Sequence, residues 1–523
     1  MELEQINAIE RATRYGRAEV LRLGVAVIFI VGIMLYVRSI GADAPNMVML
    51  VAAAMIGGYM AMNIGANDVA NNVGPAVGSK ALTLAGAIAI AAIFEASGAL
   101  IAGGDVVSTI KKGIIDPALI GDADTFIWLM IAALLAAALW LNVATYVGAP
   151  VSTTHSIVGG VMGAGIAAGG SGIVDWGQFG QIAASWVISP VLGGAIAALS
   201  LYLIKRRITY KRDIAQAAKH NVPLFVAIMA WVFSTYLALK GLSKIVEIGL
   251  LPAVGLGAIV GAIVWWLTKW LIHRHSAEVE NSKAGVDGLF TIPLIFAAAL
   301  LSFAHGANDV ANAVGPLAAI NEAVLQGGIA SKAAIPSWVL LVGALGIALG
   351  LALFGPKLIR TVGSEITELD RMRAFCVAMA AAVTVIVASQ LGLPVSSTHI
   401  AIGDVFGVGF LREHLKTTYR QKIDEIEAHY AGEDREKVER VLEEFEEASF
   451  EEKGQILQNL KRNNGGTAPI SKSDRKGLKK VYRQELVKRS AVFRIVAAWI
   501  VTVPLSGLLA AMLFFTIRGM LLP

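Results

Sequence analysis

Two segments, Gly65 to Pro75 (GANDVANNVGP) and Gly306 to Pro316 (GANDVANAVGP), differ only at Asn72 against Ala313. Each sets two Asn and one Asp at i, i+1 and i+4: Asn67, Asp68 and Asn71, then Asn308, Asp309 and Asn312. On a helix the two Asn share a face and the Asp borders it. Oxygen-bearing side chains beside glycines, which admit close backbone approach, suit a hard monovalent cation such as Na+. The competing reading is a buried hydrogen-bond network that knits helices together. Two copies, each with a carboxylate inside an apolar run, favour function, because such burial is costly.

A second pair follows each copy. PVSTTH, Pro150 to His155, returns as PVSSTH, Pro394 to His399; Asn67 lies 85 residues before Ser152, and Asn308 lies 88 before Ser396. Both read as helix beginnings, with Pro in the first turn and hydroxyls to cap. Ser152, Thr153, Thr154, Ser396, Ser397 and Thr398, with free amides and the positive end of a helix dipole, make an anion cradle that needs no Arg. A hydroxyl-lined helix contact is the plainer alternative. His155 and His399 suit either a structural hydrogen bond or proton transfer, and the structural role weighs more. Glu95, in the run IFEASG, is an intramembrane acid and so a candidate accessory residue. Its plainer reading is a helix-end carboxylate reaching water or Lys111, and in the second half Phe354-Gly355 occupies the comparable place.

The elements that must position these groups are membrane helices. The chain has 523 residues, 56% hydrophobic and 16% charged, against about 25% charged in soluble domains. Of its 83 charges, 34 lie between Arg412 and Ser490, leaving 49 in the other 444 residues. Runs long enough to span, roughly 17 to 25 residues, begin near Val20, Met47, Leu82, Phe126, Ile182, Val222, Leu251, Leu289, Trp338, Ala374 and Ala491. Pro150 to Ala168 and Pro394 to Leu411 are shorter and rich in Gly, Ser and Thr, and read as broken or re-entrant segments; irregular backbone at membrane depth survives only where protein or a cavity surrounds it. The count is roughly thirteen crossings if each broken segment crosses once. The first run reads as a retained span and not a signal peptide, since Arg38 interrupts the approach to Ala42-Asp43-Ala44 and Pro45 would follow the cut. A net charge of +5 lies mostly in short loops, which speaks for membrane orientation and against nucleic acid. Cys376 is the only cysteine, which excludes a disulfide scaffold and a cysteine metal cluster.

Lys205-Arg206-Arg207 anchors the orientation as cytoplasmic, placing the N-terminus, Arg274 and the charged insert on the same side. Lys111-Lys112 runs against this rule, and Lys240 and Lys244 do so mildly. On this count the first GANDVAN falls at the cytoplasmic end of its helix and the second at the external end, so the two halves are inverted. The expected fold is an all-α polytopic membrane protein with two inverted repeats and broken helical hairpins at the substrate site. Its segments are 1–45, with an extra span; 46–204, the first repeat; 205–286, connecting helices; 287–411, the second repeat; 412–490, a cytoplasmic helical insert; and 491–523, a final span. In the insert, Val438, Val441, Leu442 and Phe445 recur at helical spacing, before a loop at Asn463 to Gly466 and a basic stretch from Lys472 to Arg489.

At the paired motifs the chain resembles the PiT family of inorganic phosphate transporters, over roughly Met47 to Leu411 plus the last apolar run. The resemblance implies that Asn67, Asp68, Asn71, Asn308, Asp309 and Asn312 belong to the cation and phosphate site, with Asn67 and Asn308 also on phosphate. It implies that Ser152, Thr153, Thr154, Ser396, Ser397 and Thr398 line the phosphate cradle, that Glu95 matches an IFE-type position, and that the protein is a homodimer in lipid. The first hydrophobic run and the long insert depart from the family's usual pattern. The expected activity is import of inorganic phosphate by symport with Na+ or H+ across the cytoplasmic membrane, with no other cofactor; the alternative is a sulfate or other oxyanion permease. An enzyme is disfavoured because HExxH, P-loop and nucleophile-elbow motifs are lacking, and a channel because no ring of carboxylates or repeated filter is visible. Single cysteines at Gly121 and Gly363 should label from opposite sides of the membrane, and labelling from one side would remove the inversion.

Overall fold

The computed structural model describes residues 2–40, 46–147, 151–211, 213–242, 246–274, 279–326, 335–365, 369–415, 433–447 and 489–521, with isolated residues 456 and 474. It forms two compact units, Met1–Gly407 with Phe493–Pro523, and Val408–Val492. The helices are α1 (Glu2–Ile40), α2 (Met47–Gly78), α3 (Leu84–Ala102), α4 (Gly104–Lys112), α5 (Ala123–Val147), α6 (Thr153–Gly169), α7 (Trp176–Ile204), α8 (Ile214–Lys240) and α9 (Leu250–Arg274). They continue as α10 (Lys283–Leu289), α11 (Thr291–Asp309), α12 (Ala311–Gln326), α13 (Ser337–Glu365), α14 (Arg371–Gln390), α15 (Ser397–Leu415), α16 (Glu433–Glu447) and α17 (Arg489–Leu521). Only helices satisfy every backbone group without water, which is why unbroken apolar runs take this form in lipid. The runs read from the sequence become, among the described residues, 11 helical spans long and apolar enough to cross, one of them formed by α11 and α12 together. The two broken segments become the shorter helices α6 and α15.

Burial orders these helices. The span formed by α11 and α12 is 89% buried and that of α14 is 78%, whereas α1 and α9 are 11% and 17% buried. The helices of the second motif therefore lie at the centre and α1 and α9 at the margin. In the second unit, α16 buries Val438, Leu442 and Phe445, while Val441 is half-buried. The loop at 463–466 and the basic stretch 472–488, apart from Asp474, lie outside the described residues.

The two motif copies sit in differently built helices. In the first, GANDVAN lies within α2, a continuous helix of 32 residues, about 48 Å long at 1.5 Å per residue. It is not at the helix end that the crossing count gives it, because the helix runs on past Pro75 to Gly78. In the second, the helix breaks at Val310, inside the motif, between α11 and α12. Their partners show the reverse correspondence in sequence but the same in space. Unbroken α13 packs on unbroken α2, while α3 and α4, interrupted at Gly103, pack on α11 and α12.

These pairings match position by position. A Cβ on Gly65 would run into the Ile347 carbonyl, and one on Gly306 into the backbone of Glu95. Gly350 meets Met62 as Gly98 meets Phe303, and Gly355 meets Val69 as Gly103 meets Val310. The counterpart of Glu95 is thus Ile347, not Phe354-Gly355 as expected from the sequence; Gly355 matches Gly103. Glycine at these crossings lets backbones approach where a side chain would hold them apart.

Two of the basic residues that defy the orientation rule, Lys111 and Lys240, are paired. Lys111, buried on α4, forms an ion pair with buried Glu322 on α12, and Lys240 pairs with Asp105. A lysine neutralised inside the protein does not act as a loop charge, which accounts for the Lys111 exception, while the Lys240 charge is offset by a more exposed partner. Lys244 lies outside the described residues. Glu322→Gln leaves Lys111 buried and unpaired and should lower stability by about 3–5 kcal/mol. Replacing both partners by Met should recover most of that loss, as read by thermal unfolding in detergent.

Candidate functional site

The site forms where two turns meet two motif helices. Asn67 donates to the Val151 carbonyl (3.1 Å), fixing the turn before α6. Asn308 does the same for the turn before α15: it donates to the Leu393 carbonyl (3.1 Å) and accepts from the Val395 amide (3.2 Å). It also donates to Ser389 Oγ (2.9 Å). The turns touch each other, since Thr154 Oγ1 donates to the Val395 carbonyl (2.9 Å).

The second Asn of each motif crosses to the other copy. Asn71 donates to Thr398 Oγ1 (2.9 Å), and Asn312 to Thr154 Oγ1 (3.1 Å). One amide therefore anchors its own turn and the other reaches the opposite one. Ser152 and Ser396 serve as helix caps, accepting from the His155 and His399 amides at 3.1 and 3.3 Å. Proline does not occupy the first turn: Pro394 precedes the cap residue Ser396, which ends the non-helical turn, and Pro150 lies outside the described residues. His155 and His399 stack edge to face with ring centroids 4.3 Å apart, and His155 also lies 3.8 Å from the Trp186 ring. Trp186 Nε1 donates to the Pro394 carbonyl (3.1 Å), so this aromatic cluster buttresses the second turn.

At the centre the two carboxylates come together. Thr153 Oγ1 is 3.0 Å from Asp68 Oδ2 and 3.4 Å from Asp309 Oδ2. Its single hydrogen serves one of them at a time. Thr398 donates to Asp68 Oδ1 (3.1 Å) and Ser397 to Asp309 Oδ2 (3.3 Å). Asp309 Oδ1 and Asn312 Oδ1 are buried with no donor among the described residues. Buried acceptors of this kind fit a cation or a hydrogen-bonding ligand, since proteins seldom leave them unpaired. Of the twelve Asn, Asp, Ser and Thr residues singled out in the sequence, all except the half-buried Asn71 are buried in this one cluster.

His305, which the sequence reading passed over, lies among them. Its Nε2 is 3.0 Å from Asp309 Oδ2 and 3.7 Å from Asp68 Oδ2, and its Nδ1 is 3.2 Å from Glu95 Oε2. A ring with both nitrogens facing carboxylates has a donor for each only as the imidazolium. Asp68, His305 and Asp309 each offer a ligand atom within 4.8 Å of the others. Glu95 reaches neither water nor Lys111: it is fully buried and accepts from Asn72 Nδ2 (2.8 Å). The one position at which the two motifs differ, Asn72 against Ala313, is thus the residue that holds Glu95. A signal was present: His305 directly precedes the second GAND, where the first copy has Ile64. By the packing correspondence, Ile64 and Ile347 stand in one copy where His305 and Glu95 stand in the other.

His305→Ile should leave Glu95 buried without its imidazole neighbour and lower the unfolding temperature. Combined with Glu95→Ile, which reproduces the apolar pair of the other copy, the loss should reverse in thermal unfolding. A double variant no more stable than the single one would show that the pair is not an interacting unit.

Comparison with known proteins gives these residues a context. Residues 64–510 match the model of the phosphate transporter family, PHO4. A Helicobacter pylori (strain J99) protein named "Putative phosphate permease" is 51% identical over 523 residues, covering 98% of each chain. That alignment runs through both the first hydrophobic run and the charged insert. "Inorganic phosphate transporter 2-1, chloroplastic" of Arabidopsis thaliana is 40% identical over 426 residues, 76% of this chain and 72% of the other. A solved structure described as "The sodium-dependent phosphate transporter" superimposes with a TM-score of 0.74 at 30% identity, covering 91% of this chain and all of that one.

Proposed function

The chain belongs to the phosphate transporter family, and on that premise we propose that it imports inorganic phosphate across the cytoplasmic membrane by symport with sodium. The observation that carries the coupled reading is the meeting of Asp68 and Asp309, one from each motif copy, over one Thr153 hydroxyl. Two carboxylates so placed repel a bare anion. A bound cation cancels that repulsion, so phosphate and cation bind better together than apart. Asp309 Oδ1 and Asn312 Oδ1, buried acceptors without donors, suit a hard cation that takes oxygen ligands. The sodium dependence in the structural neighbour's name agrees with this choice.

Phosphate would lie at the facing starts of α6 and α15, against Thr153, Thr154, Ser397 and Thr398, where hydroxyls and helix dipoles attract an anion. Monoprotonated or diprotonated phosphate also donates hydrogen bonds, which the carboxylates can accept; fully ionised sulfate cannot do so. His305, bridging Glu95 to the Asp pair, holds positive charge beside the anion. Glu95 and Asn72 position that ring. The duplicated halves, read as inverted, would expose this site alternately to each side. Each net positive charge carried inward gains about 2.3 kcal/mol per 100 mV.

Purified protein in liposomes should accumulate radiolabelled phosphate under an inward sodium gradient, and Asp68→Asn and Asp309→Asn should each abolish that accumulation while leaving insertion intact. Uptake driven by an imposed proton gradient alone would replace sodium as the coupling ion. Wild-type accumulation in both variants would remove the carboxylates from the coupling step.

A further inference from the structure

Asp404 lies outside the site just described. It sits on α15, two turns beyond the hydroxyls of the second turn, and is 0% exposed. Neither carboxyl oxygen has a hydrogen-bond or ionic partner among the described residues. The helix it faces is α7. A Cβ on Gly193 would collide with Asp404 Oδ1, so the carboxyl rests in a notch that only glycine leaves open. Around it, Gly403 abuts the Pro190 backbone and Gly407 abuts Gly194.

The same crossing recurs in the other copy, with different chemistry. Gly163 abuts Gly507 as Gly407 abuts Gly194, and Gly159 abuts Val503 as Gly403 abuts Pro190. The last helix, α17, therefore stands to α6 as α7 stands to α15. At this crossing the positions of Asp404 and Gly193 are taken by Gly160 and Ser506. Packing alone is thus satisfied by a glycine and a serine, and the carboxyl is an addition to it.

An ionised carboxylate without a donor in an apolar contact is among the most expensive arrangements a protein can hold. A metal ion would need several further oxygen ligands, and the α7 residues of the crossing are Pro190, Gly193 and Gly194, with Ser189, whose buried hydroxyl bonds nothing among the described residues, one turn before Gly193. None of these titrates. On its own helix the titratable residues are His399, stacked on His155, before it, and Arg412, Glu413 and His414 after it. The proton is the one ligand that neutralises this carboxyl without a second donor.

We propose that Asp404 is a proton-binding site, its carboxyl protonated while α15 lies against α7. When that crossing opens to water, the O–H bond breaks and the proton passes to water; on closing, the carboxylate takes one back. The release step rests on the alternating-access reading above; the protonated carboxyl does not.

Two measurements on the full chain in lipid test this. Infrared difference spectra should show a protonated-carboxyl C=O band in the wild type that is lost in Asp404→Asn. An unchanged band overturns the proposal whether or not the protein transports phosphate. The double variant Asp404→Gly with Gly193→Ser installs the other copy's packing and guards against a misfolded single variant. It should take up phosphate with a flattened dependence on pH. A wild-type pH profile in that variant would overturn the release step.

Discussion

Two carboxylates from different halves of the chain share one hydroxyl and one imidazole in the dry centre of the protein, and much of the fold follows from that arrangement. At about 4 Å and an effective dielectric near 20, like charges repel by roughly 4 kcal/mol. Asp68 and Asp309 can be neighbours only if donors surround them. The backbones of α2 and α11 supply none, because a helix spends its own amides internally. The donors are side chains: Asn67 beside Asp68, His305 one turn before Asp309, and the hydroxyls of Thr153, Ser397 and Thr398 from the two turns. Two polar turns must therefore reach the middle of the bundle, and the motif asparagines are what hold them there.

Close helix contact makes the turns' position reproducible. Gly65, Gly98, Gly306 and Gly350 let α2 and α13, and α3 and α11, meet backbone to backbone. Little hydrophobic driving force separates helix from lipid, so contact of this kind does much of the association. The two crossings differ in composition. The continuous pair, α2 with α13, is apolar at Ile64 and Ile347, while the broken pair carries Glu95 and His305, and its α4 and α12 segments add Lys111 and Glu322. Charge burial is concentrated where the helices are interrupted.

This division explains what could be read from the sequence. The spans were legible because lipid imposes one pattern, a long apolar run, and the 11 spans of the described residues begin within nine residues of those runs, most of them within three. The site residues were legible because duplication printed them twice. Glu95, His305, Asn72, Lys111 and Glu322 appear once each, and their meaning lies in partners from distant segments. His305 is separated from Glu95 by about two-fifths of the chain. Nothing local marks Lys111 as the partner of Glu322 and not of Glu95, and only the packing of α4 on α12 decides it. Likewise, Phe354-Gly355 looks like the counterpart of Glu95 in a linear comparison, yet the crossing at Gly306 and Gly65 identifies Ile347.

The single-copy residues bear on function in a different way from the paired ones. On the alternating-access reading, two inverted halves exchange environments between the outward- and inward-open states. Residues present in both halves then contribute nearly equally to both states and cancel from the difference between them. The energetic bias between the states must come from residues that lack a counterpart: Glu95 and His305, Asn72, Lys111 with Glu322, and Asp404. Binding chemistry sits in what the halves share, as expected for a site built at their junction. Direction sits in what they do not share, because a ligand or a proton shifts an equilibrium only by the difference in its affinity for the two states.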